Sequence, residues 1–419
     1  MTSEQLKKLI DFRTPRFDLD CVYGRGPTDQ PYLYAKDGIH MQLGDPMTGN
    51  PQDPDGVGVP RGPNGRALIG DPRNDENRII SQLQATMLRF HNRIADTMHS
   101  HDFEAVRDAV RWHYQWVVIN DFLPTIIKAE TVQKVFPHLD HGGSIKDHPP
   151  QFSIPRLREG LELMPVEFSV AAYRFGHSMV RPIYRLDESI ARRPIFSPST
   201  DAAADLGGFR PVPSDWAIDW QFFIDIERGT PVPPRPNPRD DVKRVPQPAY
   251  KIDTSLVNPL AFLPPSVATD PSNLGLRNLI RGSDFGLPSG QAVAAAIGAE
   301  PIDDDKLVIG KATKDPKDPK VPLKSISDAF AGNAPLWTYV LSEAQSTSLD
   351  RGAGAADPDL IPITLGPVGG TIIAEVFAAL LLGDETSFLN ANPGFKPAFN
   401  HAGKFGLAEL INVAIKGKA

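Results

Sequence analysis

Proline constrains this chain more than any other residue. There are 42 prolines among 419 residues, against a usual share of ~5%. Each fixes φ and removes a backbone donor, so regular elements are confined to the stretches between prolines. Residues 1–70 read as loop, with Gly and Pro dense from Gly44 to Gly65. From Asn74 the pattern turns helical. Ile80, Leu83, Met87, Phe90, Ile94 and Met98 recur at spacings of three and four, one face of a long amphipathic helix. A second helix is predicted from Phe103 to about Leu123, stopped by Pro124. A third opens at Pro165, a favoured first-turn proline, with Val166, Val170, Tyr173, His177 and Val180 on one stripe. Short helices are predicted around 325–345 and 371–383, and residues 311–324 read as a solvated loop. Pro231–Pro248 reads as an extended connection, with an SH3-type ligand as the rarer alternative. Strand alternation is scarce and no βαβ rhythm appears. The expected fold is mainly α, a single domain over 1–419 with long Pro-rich loops and little sheet.

Charge and cysteine narrow the function classes. The formal net charge of -7 argues against a protein that coats nucleic acid or a basic membrane surface. One cysteine, Cys21, excludes an intrachain disulfide framework and a zinc–cysteine cluster. The stretch from Met1 to Lys8 has no apolar core of the kind a signal peptide carries. The apolar run from Thr371 to Gly383 is shorter than the ~20 residues a bilayer span needs. The expected location is cytoplasmic, with secretion as the alternative if the N-terminus is shortened.

Several residue groups invite a chemical reading. His99-Ser100-His101 and His138-Leu139-Asp140-His141 lack a matching carboxylate or cysteine set, so helix ends or turns explain them better than a metal. Gly366-Pro367-Val368-Gly369-Gly370 lacks the strand context of a dinucleotide fingerprint. His177 follows Arg174 by three residues, which puts both on one helix face. An imidazole and a guanidinium beside one apolar pocket suit haem, greasy in the middle and anionic at its propionate edge. A satisfied core histidine is the bland alternative. Arg73 and Glu76 form another such pair near the start of the long helix, where Asn74 or Asp71 could act as the cap. An arginine there opposes the helix dipole, so it is expected to face a specific anion. Thr14-Pro15-Arg16-Phe17-Asp18-Leu19-Asp20 offers oxygens at alternate positions, as a Ca²⁺ loop does; an Asx-turn is the alternative.

Six blocks in order resemble the animal-type haem peroxidases of the peroxidase–cyclooxygenase superfamily, in its bacterial branch. They are Arg13-Thr14-Pro15 with Asp18-Leu19-Asp20-Cys21-Val22-Tyr23-Gly24, then Gly70-Asp71-Pro72-Arg73-Asn74-Asp75-Glu76-Asn77, then Phe90-His91-Asn92-Arg93-Ile94-Ala95. Asn120-Asp121-Phe122-Leu123-Pro124, Tyr173-Arg174-Phe175-Gly176-His177-Ser178 and Arg277-Asn278-Leu279-Ile280-Arg281-Gly282 with Gly286-Leu287-Pro288 follow. The resemblance implies haem b with His177 as its proximal iron ligand, and Asn278 accepting a hydrogen bond from the other ring nitrogen. It implies Arg73 as the distal arginine that stabilises charge on peroxide. Glu76 would lie at the haem edge, able to form an ester. Asn77 stands where the myeloperoxidase group has methionine, so no sulfonium link is expected. Arg174 and Arg281 would bind propionates. Thr14, Arg16 through its carbonyl, Asp18 and Asp20 would form a partial calcium site.

The family also carries a Gln-x-x-Asp-His-Asp motif upstream of the calcium loop, whose histidine moves the peroxide proton. The 13 residues before Thr14 lack it, and His40 follows the calcium block in an unrelated context. The chain therefore reads as an N-terminally shortened form, with a natural variant lacking the distal base as the alternative. The implied function is a haem peroxidase that reduces hydrogen peroxide and oxidises small organic or halide donors. A non-catalytic haem-binding pseudo-peroxidase and a haem-dependent fatty-acid dioxygenase are the alternatives. The dioxygenase branch has a radical-forming tyrosine three residues before the proximal histidine, and that position here is Arg174.

Overall fold

The computed structural model describes residues 15–141, 143–159, 163–188, 190, 192–197, 204–226, 246–265, 267–268, 270–313, 315–351, 363–400 and 403–417. Thr14 and residues 231–245 of the proline-rich connection lie outside the described residues. The longer α-helices, in chain order, are α1 (Arg78–Met98), α2 (Phe103–Val117), α3 (Ala129–Val135), α4 (Leu274–Asp284), α5 (Gly290–Ala296), α6 (Leu336–Arg351), α7 (Pro367–Gly383) and α8 (Leu407–Lys416). Sheet is confined, among the described residues, to two antiparallel pairs. Ile183–Tyr184 runs against Arg193–Pro194, and Val308–Ile309 against Val321–Pro322. The second pair gives the predicted 311–324 loop a strand at its end. The fold is mainly α, as expected. By contact, the chain divides into two compact units, each assembled from three separate stretches.

The unit formed by Asp18–Asp121, Arg181–Pro248 and Phe395–Ala419 is built on α1. Asn77, in extended conformation, caps α1 by accepting from the Ile79 N–H at 2.9 Å. The helix therefore starts at Arg78 and not at Asn74; Pro72–Asp75 is a separate 3-10 turn capped by Asp71. Met87, Phe90 and Ile94 are buried as predicted, but Ile80 and Met98 are 43% and 41% exposed. The middle turns of α1 are packed on all sides, burying Gln82, Gln84 and Arg89 as well. A single stripe captures neither that wrapping nor the free ends. Tyr23, Phe90, Phe103, Val106, Val110, Phe405, Leu410 and Val413 share the core against α1, α2 and α8.

The second predicted helix ends earlier than Leu123. After α2 the chain widens into a π-helical turn, Val118–Phe122, then a short helix Leu123–Ile126 holds Pro124 in its first turn. A first-turn proline lacks only a donor that would have no intrahelical partner, so Pro124 begins this element and does not stop one.

The unit containing Phe122–Val180 and Ala249–Gly394 is organised around α7, buried along nearly its whole length. Two carboxylates clamp it. Glu343 of α6 accepts from the N–H groups of Val368 and Gly369 at 3.0 and 3.3 Å, at the N-terminus of α7. Burial pushes Glu343 up to about 7. A Cβ at Gly366 would sit 2.4 Å from the Glu343 Cγ, so only glycine admits this contact. Glu375, in the middle of α7, accepts from Ser153 N–H at 2.6 Å and Ile154 N–H at 2.8 Å.

The third predicted helix is not a regular α-helix. Residues Glu167–Ala171 form a π-helical turn, and Ala172–Met179 a 3-10 helix. Ala171 breaks the run with φ -127 and ψ -72. Phe168 stacks on Tyr173 at 4.8 Å, and the Ser169 carbonyl is taken by the Arg174 side chain at 3.1 Å. Val170 is buried while Val166 and Tyr173 are 41% and 44% exposed, so the predicted stripe is not one buried face. Residues three apart eclipse on a 3-10 helix, so Arg174 and His177 still share a side.

Candidate haem-binding site

The unit around α7 gathers His177, Arg174, Asn278, Arg277 and Arg281. Asn273 caps α4 by accepting from the Leu276 N–H at 2.9 Å, and this fixes the helix that carries Asn278. Asn278 is 1% exposed, with its amide 2.9 Å from Nδ1 of His177 across 101 residues of sequence. The Asn278 Oδ1 accepts from Arg174 Nη1 at 3.4 Å, and Trp337 Nε1 donates to the Arg174 carbonyl at 3.3 Å. Burial, then the Arg174 charge, holds His177 down at about 4. The ring is therefore neutral at pH 7 and can act as a ligand.

The amide orientation differs from the expectation. The nitrogen Nδ2, not the oxygen, faces Nδ1 of His177. In that pose Asn278 donates, and the ring proton sits on Nε2. A half-turn about the last side-chain bond exchanges oxygen for nitrogen, giving up the 3.4 Å hydrogen bond from Arg174. Asn278 then accepts from Nδ1–H, and the Nε2 lone pair is free for a metal.

Arg174 is lowered by burial and then by the charges of Arg281 and Arg277. Among the described residues no carboxylate pairs with any of these three arginines. A half-buried guanidinium beside two more suits an anionic group. Arg277 was quoted in the sequence block but given no role; its four-residue spacing from Arg281 on α4 is the signal that could have found it. A cavity of about 410 Å³ opens against Asn278, with Val170, Leu279, Ser283, Phe330 and Trp337 among its walls. The donor set and the arginine cluster fit a haem.

Arg73, in the other unit, does face an anion, and it is Asp71: Nη2–Oδ2 is 2.7 Å and Nε–Oδ2 3.0 Å. Its side chain is 67% exposed. Asp71 also accepts from the Arg73 N–H at 2.9 Å. Glu76 is exposed, and its carbonyl accepts from Gly208 N–H at 2.9 Å. The Gly70–Glu76 segment is docked on the Asp20–Tyr23 turn: Gly70 N–H and Gln84 Nε2 both donate to the Cys21 carbonyl at 3.0 Å. His40 is bracketed by Asp37 at 2.5 Å and Asp96 at 3.2 Å.

Of the predicted calcium ligands, Thr14 is outside the described residues. Arg16 belongs to the α7 unit and pairs with Asp384 at 3.9 Å. Asp18 and Asp20 belong to the α1 unit, where Asp18 Oδ1 accepts from the Asp20 N–H at 3.2 Å, the Asx-turn geometry. Among the described residues no three His, Cys, Asp or Glu side chains are grouped to hold a metal ion. No helix among them is long and apolar enough to cross a membrane.

Comparison with known proteins shows what the chain is similar to. The profile described as animal haem peroxidase matches residues 2–203. Thyroid peroxidase of Sus scrofa is 27% identical over 215 residues, covering 46% of this chain. Thyroid peroxidase of Canis lupus familiaris is 25% identical over 231 residues, covering 53% of it. Each match spans only 21% of the relative's own length. Among solved structures, peroxidase A from Dictyostelium discoideum superposes with a TM-score of 0.59 at 19% identity, covering 96% of this chain and 68% of that one. A fatty acid alpha-dioxygenase of Oryza sativa gives 0.50 at 15% identity, covering 97% and 65%. Residues 2–203 thus match the animal haem peroxidase profile, and the fold of the chain is similar to that of peroxidase A.

Proposed function

We propose that this chain is a haem peroxidase: it holds haem b through His177, reduces hydrogen peroxide and oxidises small organic or halide donors. The observation that carries the reading is the buried Asn278 amide 2.9 Å from Nδ1 of His177, beside Arg174, Arg277 and Arg281. When bound, haem iron supplies the redox chemistry with peroxide. The protein's part is binding and orientation. His177 offers Nε2 as the iron ligand, and Asn278 fixes the ring and its tautomer. Arg174 and Arg281 hold the propionate carboxylates as charge-assisted partners. Arg73 is assigned to hold an anionic oxygen on the block resemblance alone. Glu76 takes the haem-edge role and Asp18 and Asp20 a calcium role on the block resemblance alone. The position three residues before His177 is Arg174, and Tyr173 is stacked on Phe168, which favours peroxidase over dioxygenase chemistry.

The test is reconstitution with hemin. A Soret band should appear for the parent and be lost or shifted in His177→Ala, and peroxide-dependent oxidation of a phenolic donor should follow the band. A spectrum unchanged in His177→Ala would sink the assignment.

A further inference from the structure

A second, larger cavity in the α7 unit is not used by this reading. Its volume is about 780 Å³, within the range of small-molecule sites. Ile154, Met164, Val166, Ala292, Ala296 and Ile372 are among its walls. Ala292 and Ala296 stand one turn apart on α5, and Ile372 comes from α7. Ile154 comes from the segment that Glu375 clamps through the N–H groups of Ser153 and Ile154. A carboxylate buried in α7 therefore holds this wall in place without any ligand, so the cavity is preformed. Met164 and Val166 are 44% and 41% exposed, apolar surface that a ligand would cover.

The lining states the ligand's chemistry. None of the residues that line it is aromatic. The walls offer dispersion contacts to aliphatic groups and no face on which a ring could stack. Two charged residues line it as well, Arg156 and Glu167. Neither has an ion-pair partner among the described residues. With one charge of each sign on its lining, the cavity favours neither a carboxylate nor an ammonium head over the other. An uncharged hydroxyl suits either: it can accept from a guanidinium or donate to a carboxylate.

We propose that this cavity binds an aliphatic molecule carrying one uncharged hydrogen-bonding head, a long-chain alcohol being the simplest case. The proposal does not depend on the haem reading. Glu167 opens the π-helical turn that leads into the His177-bearing 3-10 helix, so the ligand packs on the element that precedes that histidine.

Calorimetry on the full chain tests this with three chain-matched probes: 1-decanol, decanoate and decylammonium, each below its micelle concentration. The expected result is saturable one-site binding of 1-decanol, at least about tenfold tighter than either ion, a difference of ~1.4 kcal/mol. Glu167→Gln should shift the preference toward decanoate, and Arg156→Gln toward decylammonium. Ala296→Trp and Ala292→Phe place bulk in the cavity from exposed helix positions. Both should abolish 1-decanol binding while keeping the parent's circular dichroism and melting temperature. No saturable binding of 1-decanol, undiminished binding in either folded filling variant, or a parent that prefers decanoate would each overturn the proposal. If neither filling variant melts cooperatively, the head-group swaps decide it, and probe preferences unchanged in both glutamine variants count against it.

Discussion

Asn278 reaches His177 from another helix, 101 residues away in sequence, and is almost completely buried where it does so. A side-chain amide so placed fixes the imidazole more tightly than packing alone, because its one alternative pose reverses the hydrogen-bond direction. The ring proton and the free lone pair are therefore decided together.

Replacing Asn278 should disturb haem retention before it disturbs the fold. Loss of a hydrogen-bond partner to a ligating histidine typically weakens metal affinity ~10–100-fold. Asn278→Ala should show that loss in hemin titrations followed at the Soret band. Asn278→Asp keeps an acceptor for Nδ1–H and should retain haem better than alanine. Equal retention in parent and Asn278→Ala would remove the positioning role.

The Asp71 carboxylate has two tasks: it caps the Pro72–Asp75 turn and grips the Arg73 guanidinium. Asp71→Ala should reduce stability by ~0.5–2 kcal/mol through the lost cap. Asp71→Asn retains an acceptor for the Arg73 N–H but releases the charge pair, so it should destabilise less. Urea melts of the two variants provide the comparison. An alanine variant as stable as the parent would show that the cap contributes nothing.

Much of this architecture was legible because hydrophobic spacing reports which residues face inward. The mainly helical fold and the buried centre of α1 follow from it. The join at Ala171 does not. Spacings of three and four fit an α-helix as well as a π-turn followed by a 3-10 helix, and the backbone break at Ala171 distinguishes them. Arg174 and His177 come together in either geometry. Asn278 and Arg281 were identified by resemblance, since no local rule links residues a hundred positions apart. The expectation for Arg73 was a specific anion; the structure pairs it with Asp71, two residues upstream across the tight turn at Pro72.

Two histidines of the α1 unit give opposite pH signatures. His40 is raised by its hydrogen bonds to Asp37 and Asp96, which outweigh its desolvation. Its contribution is fully present below about 6.5, the model-peptide value, and is lost as pH rises through the raised one. His91 is buried between the Tyr23 hydroxyl and the Ile39 carbonyl, and burial lowers it to about 4. Its neutral form is favoured in the fold, so stability falls as pH drops from about 6.5 toward about 4. Urea unfolding across this range should show the acid loss shrink in His91→Phe and the rise-of-pH loss shrink in His40→Ala. Unchanged pH profiles in both variants would contradict the assignment.

Glu343 supplies the last prediction. Its carboxyl stands at about 7 in the folded chain, against 4.5 unperturbed, because burial outweighs the hydrogen bonds from Val368 and Gly369. A carboxyl raised by folding stabilises most when protonated in both states, below about 4.5. That share is lost as pH rises through about 7, where the folded chain must hold a buried carboxylate. Glu343→Gln keeps an oxygen to accept from the α7 N-terminus and removes the ionisation. It should be near the parent in stability at pH 5 and more stable at pH 8. Glu343→Ala leaves those N–H groups buried without their acceptor and should be destabilised at both, by ~1–3 kcal/mol. Thermal melts of the three proteins at the two pH values measure all of this. A Glu343→Gln protein whose advantage does not grow with pH would mean that the carboxylate is better solvated than its burial implies.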